Sequence, residues 1–220
     1  MTADHYANEL RNLVAADFGP ENVGHDITHL DRVWVNCQMI ANDEGGDRDV
    51  LAAAAYLHDY HRVLERRTGD TVRPHEALAD AAAALDGVGF PAQKRELVLD
   101  CIRASGNHSF SADSAMIAGV EPQILKDADN LDAIGAIGIA RAFMFGAELG
   151  EPIWDPDAPI AEIYTPGHSH SIVHHFHEKL LRLKEDMHTL TGRRIANERD
   201  AFMREFLQRL FSEAGIVVPV

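Results

Sequence analysis

Residues 50–57, Val-Leu-Ala-Ala-Ala-Ala-Tyr-Leu, are apolar at every position, so a helix built from them has no face to offer water. Such a helix belongs at the centre of a folded core, with other helices packed around it. It runs directly into His58 and Asp59. A carboxylate at the end of a buried helix is costly unless hydrogen bonds or a cation satisfy it. The chain must therefore bring partners for that corner from elsewhere.

The flanking segments supply helices. Apolar residues recur with a 3.6-residue period and strand-like alternation is rare, which predicts an all-α fold. A first helix is expected over residues 3–16, with Tyr6, Leu10, Leu13 and Val14 on one face, ended by Gly19-Pro20. A second starts near Asp26, carries Leu30, Val33, Trp34, Cys37, Ile40 and Ala41, and stops at Gly45-Gly46. Further helices are expected over residues 75–85 and 91–105. Residues 124–149 read as one long helix or two, with the Asp127-Ala128-Asp129 triplet near the start. Pro152, Pro156, Pro159 and Pro166 make residues 150–167 an irregular loop. Two more helices, over 168–190 and 194–214, complete the pattern. No repeat or linker interrupts it, so residues 1–220 are expected to form one domain, a core over about 16–150 with additional C-terminal helices over about 168–214.

Composition removes several functional classes. Twenty basic against 35 acidic residues leave a net charge of −15, which repels a nucleic-acid backbone. The longest nearly apolar run, residues 133–145, is broken by Gly135, Gly138 and Arg141 and is too short to cross a bilayer. Residues 1–10 lack the basic and apolar regions of a secretory signal, so a cytoplasmic location is expected. Cys37 and Cys101 lie within apolar helical patterns, without the spacing of a thiolate metal site, and read as core. The anomaly is histidine, present 13 times.

Three features carry chemistry: His29 at the edge of an apolar arc, the His58-Asp59 pair, and the Asp127-Ala128-Asp129 triplet. Taken singly, His29 is an ordinary core-rim imidazole and the aspartates are helix caps. Together, two imidazoles and two carboxylates form a mixed N/O donor set for a divalent cation. That set suits Mn, Fe, Co, Ni or Zn and, less comfortably, Mg. Arg32 is placed either to bind a phosphate or to fix Asp59, and otherwise pairs with Asp31 or Asp26. His168, His170, His174, His175, His177 and His188 form a dense C-terminal group in which a second metal site is an alternative to surface histidines.

The order H, then HD, then a distant D resembles the HD-domain metal-dependent phosphohydrolase superfamily, in its small stand-alone bacterial branch. The runs His29-Leu30-Asp31-Arg32-Val33, Ala55-Tyr56-Leu57-His58-Asp59 and residues 127–138 carry the resemblance, with Asn107-His108-Ser109-Phe110-Ser111 and residues 175–181. It extends over roughly residues 16–211. It implies an HD-domain helical bundle with His29, His58, Asp59 and Asp129 as metal ligands, Asp127 being the alternative fourth. It also implies hydrolysis of a small phosphorylated compound, a nucleotide foremost, by a metal-activated water. Asp59 and Arg32 would then be catalytic, and His108, His175 and Lys179 would contact substrate. Residues 60–63, Tyr-His-Arg-Val, depart from the pattern of relatives that carry a further acid after HD. Two other readings stay open: a di-iron oxygenase using His61, His75 or His108, and a non-catalytic nucleotide-sensing module.

Overall fold

The computed structural model describes residues 2–19, 24–105, 117–161, 164–165 and 168–215, and these contain helices and loops but no strand. In chain order the helices are α1 (Ala3–Val14), α2 (Ile27–Glu44), α3 (Arg48–Leu57), α4 (Tyr60–Thr68), α5 (Leu78–Gly87), α6 (Ala92–Ser105), α7 (Val120–Asp132), α8 (Gly135–Leu149), α9 (Ile172–Glu178) and α10 (Leu190–Ala214). Short 3-10 turns, Pro74–Ala77 and Leu180–Asp186, precede α5 and follow α9. None of these helices is long and apolar enough to cross a membrane.

The all-apolar segment occupies the centre. Every residue from Val50 to Leu57 is buried, and α3 is packed by α1, α2, α6 and α7. Its four consecutive alanines keep the neighbouring backbones close. The amphipathic faces of α1 and α2 close over it through Tyr6, Leu10 and Val14 and through Leu30, Val33, Cys37 and Ile40. Leu13, expected on the same face as Leu10, is instead exposed. Cys37 and Cys101 are buried and unpaired, as core residues.

Residues 124–149 form two helices. Ile134 is extended, with φ −127° and ψ 167°, and Gly135 follows at φ +76°. A side chain there would be strained by the left-handed backbone and would meet the Arg199 stem at 2.9 Å. Two side chains add donors to carbonyls in the last turns of α7. Asn36 donates to Ala128 O at 3.0 Å, and the Arg199 guanidinium donates to Leu131 O and to Asn36 Oδ1. The end of α7 is thereby fixed between α2 and α10.

Two expectations need correcting. The aspartate triplet lies near the end of α7 and does not open a helix, so Asp127 caps nothing of its own. Its carboxylate accepts the backbone N–H groups of His188 and Thr189 at 2.8 Å and the Thr189 hydroxyl at 2.7 Å, clamping the start of α10. Gly192, which donates to Thr189 Oγ1, leaves room for that carboxylate; any Cβ would collide with it. The second correction concerns residues 168–190, which make the short α9 and a 3-10 turn where one helix was expected.

Replacing Asp127 with Ala leaves two buried donors of Thr189 and the part-buried His188 N–H without their acceptor. The substitution is expected to lower unfolding free energy by about 2–4 kcal/mol. Denaturant titration of the purified variant measures this, and an unchanged midpoint would contradict the clamp.

Candidate metal centre

The corner after α3 gathers the site. The helix ends at Leu57, Asp59 leaves helical geometry at φ −94° and ψ 11°, and α4 restarts at Tyr60. His58 and Asp59 therefore sit in the turn, both buried. His29 enters from the first turn of α2, where the Asp26 N-cap accepts its backbone N–H at 3.0 Å. Asp129 and Asp132 come from α7, three residues apart and so on one face.

Each imidazole is anchored through Nδ1. His29 Nδ1 lies 2.7 Å from Asp132 Oδ2, and His58 Nδ1 donates to Ala55 O at 2.9 Å. Both Nε2 atoms are buried without a hydrogen-bond partner. They point into the same space, with ring centroids 5.4 Å apart. His29 Nε2 is 3.4 Å from Asp59 Oδ2 and 3.6 Å from Asp129 Oδ1, while His58 Nε2 is 3.7 Å from Asp59 Oδ1 and 3.8 Å from Asp129 Oδ1. Donors bound about 2.1 Å from one cation stand about 3.0–3.5 Å from one another, close to these separations. Two orphaned imidazole nitrogens facing two carboxylates thus fit a divalent cation, with His29, His58, Asp59 and Asp129 as the residues able to hold it. The ligand atoms of His29, His58 and Asp129 lie within 4.8 Å of one another.

The electrostatics agree. Burial alone would push the His58 imidazolium down, but Asp59 and Asp129 override it and hold it up at about 9. Burial likewise disfavours the Asp59 carboxylate, yet His58 and His25 keep it well below the usual range. Asp129 is lowered against burial by His58 and His29.

Other residues fall differently. Asp127 faces α10 and not the imidazoles. Arg32 does not reach Asp59, nor does it pair with Asp31 or Asp26: its guanidinium grips Asp132 at 2.6 and 3.0 Å and Thr28 at 2.9 Å. It stands behind His29, gripping the carboxylate that meets His29 Nδ1. His175 and Lys179 converge on Tyr164, with ring centroids 5.3 Å apart and the Lys179 ammonium 5.2 Å above the ring. Burial and the nearby Lys179 push His175 down to about 3. Lys179 is lowered to about 8 by burial, with Asp129 opposing and Arg141, Arg62 and Lys126 adding to the shift. His108 lies outside the described residues.

Among the described residues, neither His61 nor His75 joins a ligand group: His61 donates to His58 O and His75 is exposed. In the C-terminal group, His174 spends both ring nitrogens on Ser171 Oγ and Ala158 O and stacks on Trp154, a structural role.

Sequence reasoning missed His25 and Asp132. His25 Nδ1 lies 2.6 Å from Asp59 Oδ2, and His25, His29 and Asp59 form a second candidate ligand group sharing His29. A signal for Asp132 existed in its i+3 spacing from Asp129. His25 lies before α2 begins, where helical periodicity says nothing.

The raised His58 fixes the pH behaviour of the metal-free protein. Its folded value, about 9, exceeds the ordinary 6.5, so its stabilisation is complete below pH 6.5 and is lost as pH rises through about 9. A cation must displace that proton. Affinity for Mn or Zn is expected to rise with pH towards 9, with release of about one proton per cation at pH 7.5. Calorimetry in buffers of different ionisation enthalpy measures the release, and none would contradict the assignment.

Comparison with known proteins places this geometry. Residues 26–134 match the HD domain family. The chain is 32% identical over 204 residues to the uncharacterized protein YpgQ of Bacillus subtilis strain 168, covering 93% of this chain and 91% of that protein. A Lactobacillus plantarum structure is 30% identical with TM-score 0.78, over 98% of this chain and 99% of the other. The structure of Bacillus subtilis YpgQ in complex with ADP is 30% identical with TM-score 0.73, over 97% of each. An HD-superfamily hydrolase from Bacillus thuringiensis is 27% identical with TM-score 0.73, over 97% and 99%. The all-α fold, the buried donor set and these relatives agree, and the chain belongs to the HD-domain superfamily.

Proposed function

We propose that this protein is a metal-dependent phosphohydrolase that acts on a small phosphorylated compound, specifically a nucleotide. The observation that carries the reading is the pair of orphaned imidazole nitrogens opposite two ionised carboxylates, with Lys179 within electrostatic reach of Asp129 and unpaired with any carboxylate among the described residues. The ADP in the Bacillus subtilis relative supports a nucleotide as the ligand.

The four ligand side chains hold the cation. When bound, a divalent ion supplies an acidified water and withdraws charge from phosphoryl oxygens. The rest falls to this chain. Asp59 stays ionised across the neutral range, which suits its catalytic role to orienting the attacking water as a hydrogen-bond acceptor. Lys179, at about 8, is mostly protonated at neutral pH and sits within electrostatic reach of Asp129, so it binds a phosphate oxygen as a point charge. His175 is neutral there and flanks Tyr164, giving the substrate a ring surface and a hydrogen-bonding edge.

His58→Ala and Asp59→Ala are each expected to lower turnover at least about 100-fold and to lose metal while remaining helical. Lys179→Ala is expected to raise KM about tenfold with a smaller effect on kcat. A phosphate and pyrophosphate release screen over nucleotides and sugar phosphates, with metal analysis of each variant, reads all three. Undiminished turnover without either ligand would overturn the reading.

A further inference from the structure

We propose that Asp132 is the positioning residue of the metal centre, holding His29 in the one tautomer that leaves Nε2 free for a cation. This rests on the cation reading above. The carboxylate is buried, at 2% exposure, yet it meets four donors. Oδ1 accepts from Arg32 Nε at 2.6 Å. Oδ2 takes Arg32 Nη2 at 3.0 Å, Arg141 Nη1 at 2.9 Å and His29 Nδ1 at 2.7 Å. Gripped from α2 and α8, it cannot rotate without breaking charge-assisted bonds on both sides.

Orientation decides which nitrogen carries the proton. A neutral imidazole has one N–H. His29 has acceptors at both ends: Asp132 at Nδ1, and Asp59 and Asp129 at Nε2, at 3.4 and 3.6 Å. With the nearer, aligned carboxylate in place, the proton sits on Nδ1 and the Nε2 lone pair faces the cation. Without it, the proton moves to Nε2, bonds the ligand carboxylates and blocks the position. His58 solves the same problem through the Ala55 carbonyl, which needs no side chain.

Arg141 extends the arrangement. Its second arm donates to the Gly24 carbonyl, next to His25, which holds Asp59. One guanidinium thus ties together the supports behind two of the ligands, one from α2 and one from the turn after α3.

The experiment compares wild type, Asp132→Asn, Asp132→Glu and Arg141→Met, reading the His29 ring nitrogens by NMR in metal-free protein and Mn affinity by titration. Asp132→Asn is expected to shift the His29 signals from Nδ1–H towards Nε2–H and to weaken Mn binding about 10–100-fold. Asp132→Glu, which keeps an anionic acceptor, is expected to retain the Nδ1–H signals and to bind within about threefold of wild type. Arg141→Met leaves the carboxylate present but held from one side, with an expected loss of about three- to tenfold, and it remains informative if Asp132→Asn fails to fold. Native ring signals and native affinity in a folded Asp132→Asn, or in Arg141→Met, overturn the proposal. Wild type that binds no divalent cation overturns the cation reading instead, and the metal-free ring signals then decide the role of Asp132 separately.

Discussion

The placing of two carboxylates, Asp59 buried and Asp129 nearly so, against two buried imidazoles at the end of the most apolar helix is the constraint on which the rest of the structure depends. Neither Asp59 nor Asp129 can stay ionised in that corner without opposite charge nearby. In the metal-free protein His58 supplies it, held protonated up to about 9 by those same carboxylates. One imidazolium balances one of the two negative charges. A divalent cation balances both and lets His58 become neutral, which is the form that ligates. The raised His58 value is therefore the metal-free protein's partial substitute for a metal ion.

That corner stays assembled only if the end of α7 stays put. Asp129 and Asp132 occupy its last turn, and the helix stops immediately after them. Asn36 and Arg199 donate to the buried Ala128 and Leu131 carbonyls, Gly135 lets the chain turn away against Arg199, and Asp127 one turn earlier is bolted to the start of α10. Arg141, Lys179 and Arg199 all lie beyond residue 134, where the match to the HD domain family ends. The chain beyond residue 134 is thus part of the centre and not an appendage: Arg141 of α8 clamps Asp132, and Lys179, after α9, lies within electrostatic reach of Asp129.

What was legible in the sequence follows from which interactions are local. The apolar run of α3, the Asp26 cap and the face of α2 are set within one or two turns, and the structure has them where periodicity puts them. The convergence of His29, His58, Asp59 and Asp129 was legible through resemblance, because their separations in sequence carry no geometry. The partners of Arg32 and Asp127 were misjudged for one reason: each side chain is claimed by a residue about 60–100 positions away, Asp132 in one case and Thr189 in the other. The sequence offered a phosphate, Asp59, Asp31 or Asp26 to Arg32 and a helix start to Asp127. His25 escaped because a loop has no period, and residues 168–190 were read as one helix because their apolar spacing persists through a 3-10 turn.

The net charge of −15 sets the terms on which an anionic ligand reaches this centre. At physiological ionic strength charges are screened over about 8 Å, so most of the acidic surface is not felt inside the site. What is felt is the immediate set: Asp59 and Asp129 on one side, and Lys179, Arg62, Arg141 and Lys126 on the other; burial, with the three neighbouring cations adding to it and Asp129 opposing, lowers the Lys179 ammonium to about 8. Arg141 is engaged with Asp132, Arg62 with Glu65 and Lys126 with the Ser105 carbonyl. Among the described residues Lys179 has the Tyr164 ring as its partner, a weak and undirected one for an ammonium group. On the function proposed above, a phosphate would offer that ammonium what the ring cannot, a full counter-charge with oxygen acceptors. A few placed groups of this kind would let an acidic protein take a phosphorylated ligand without a basic surface.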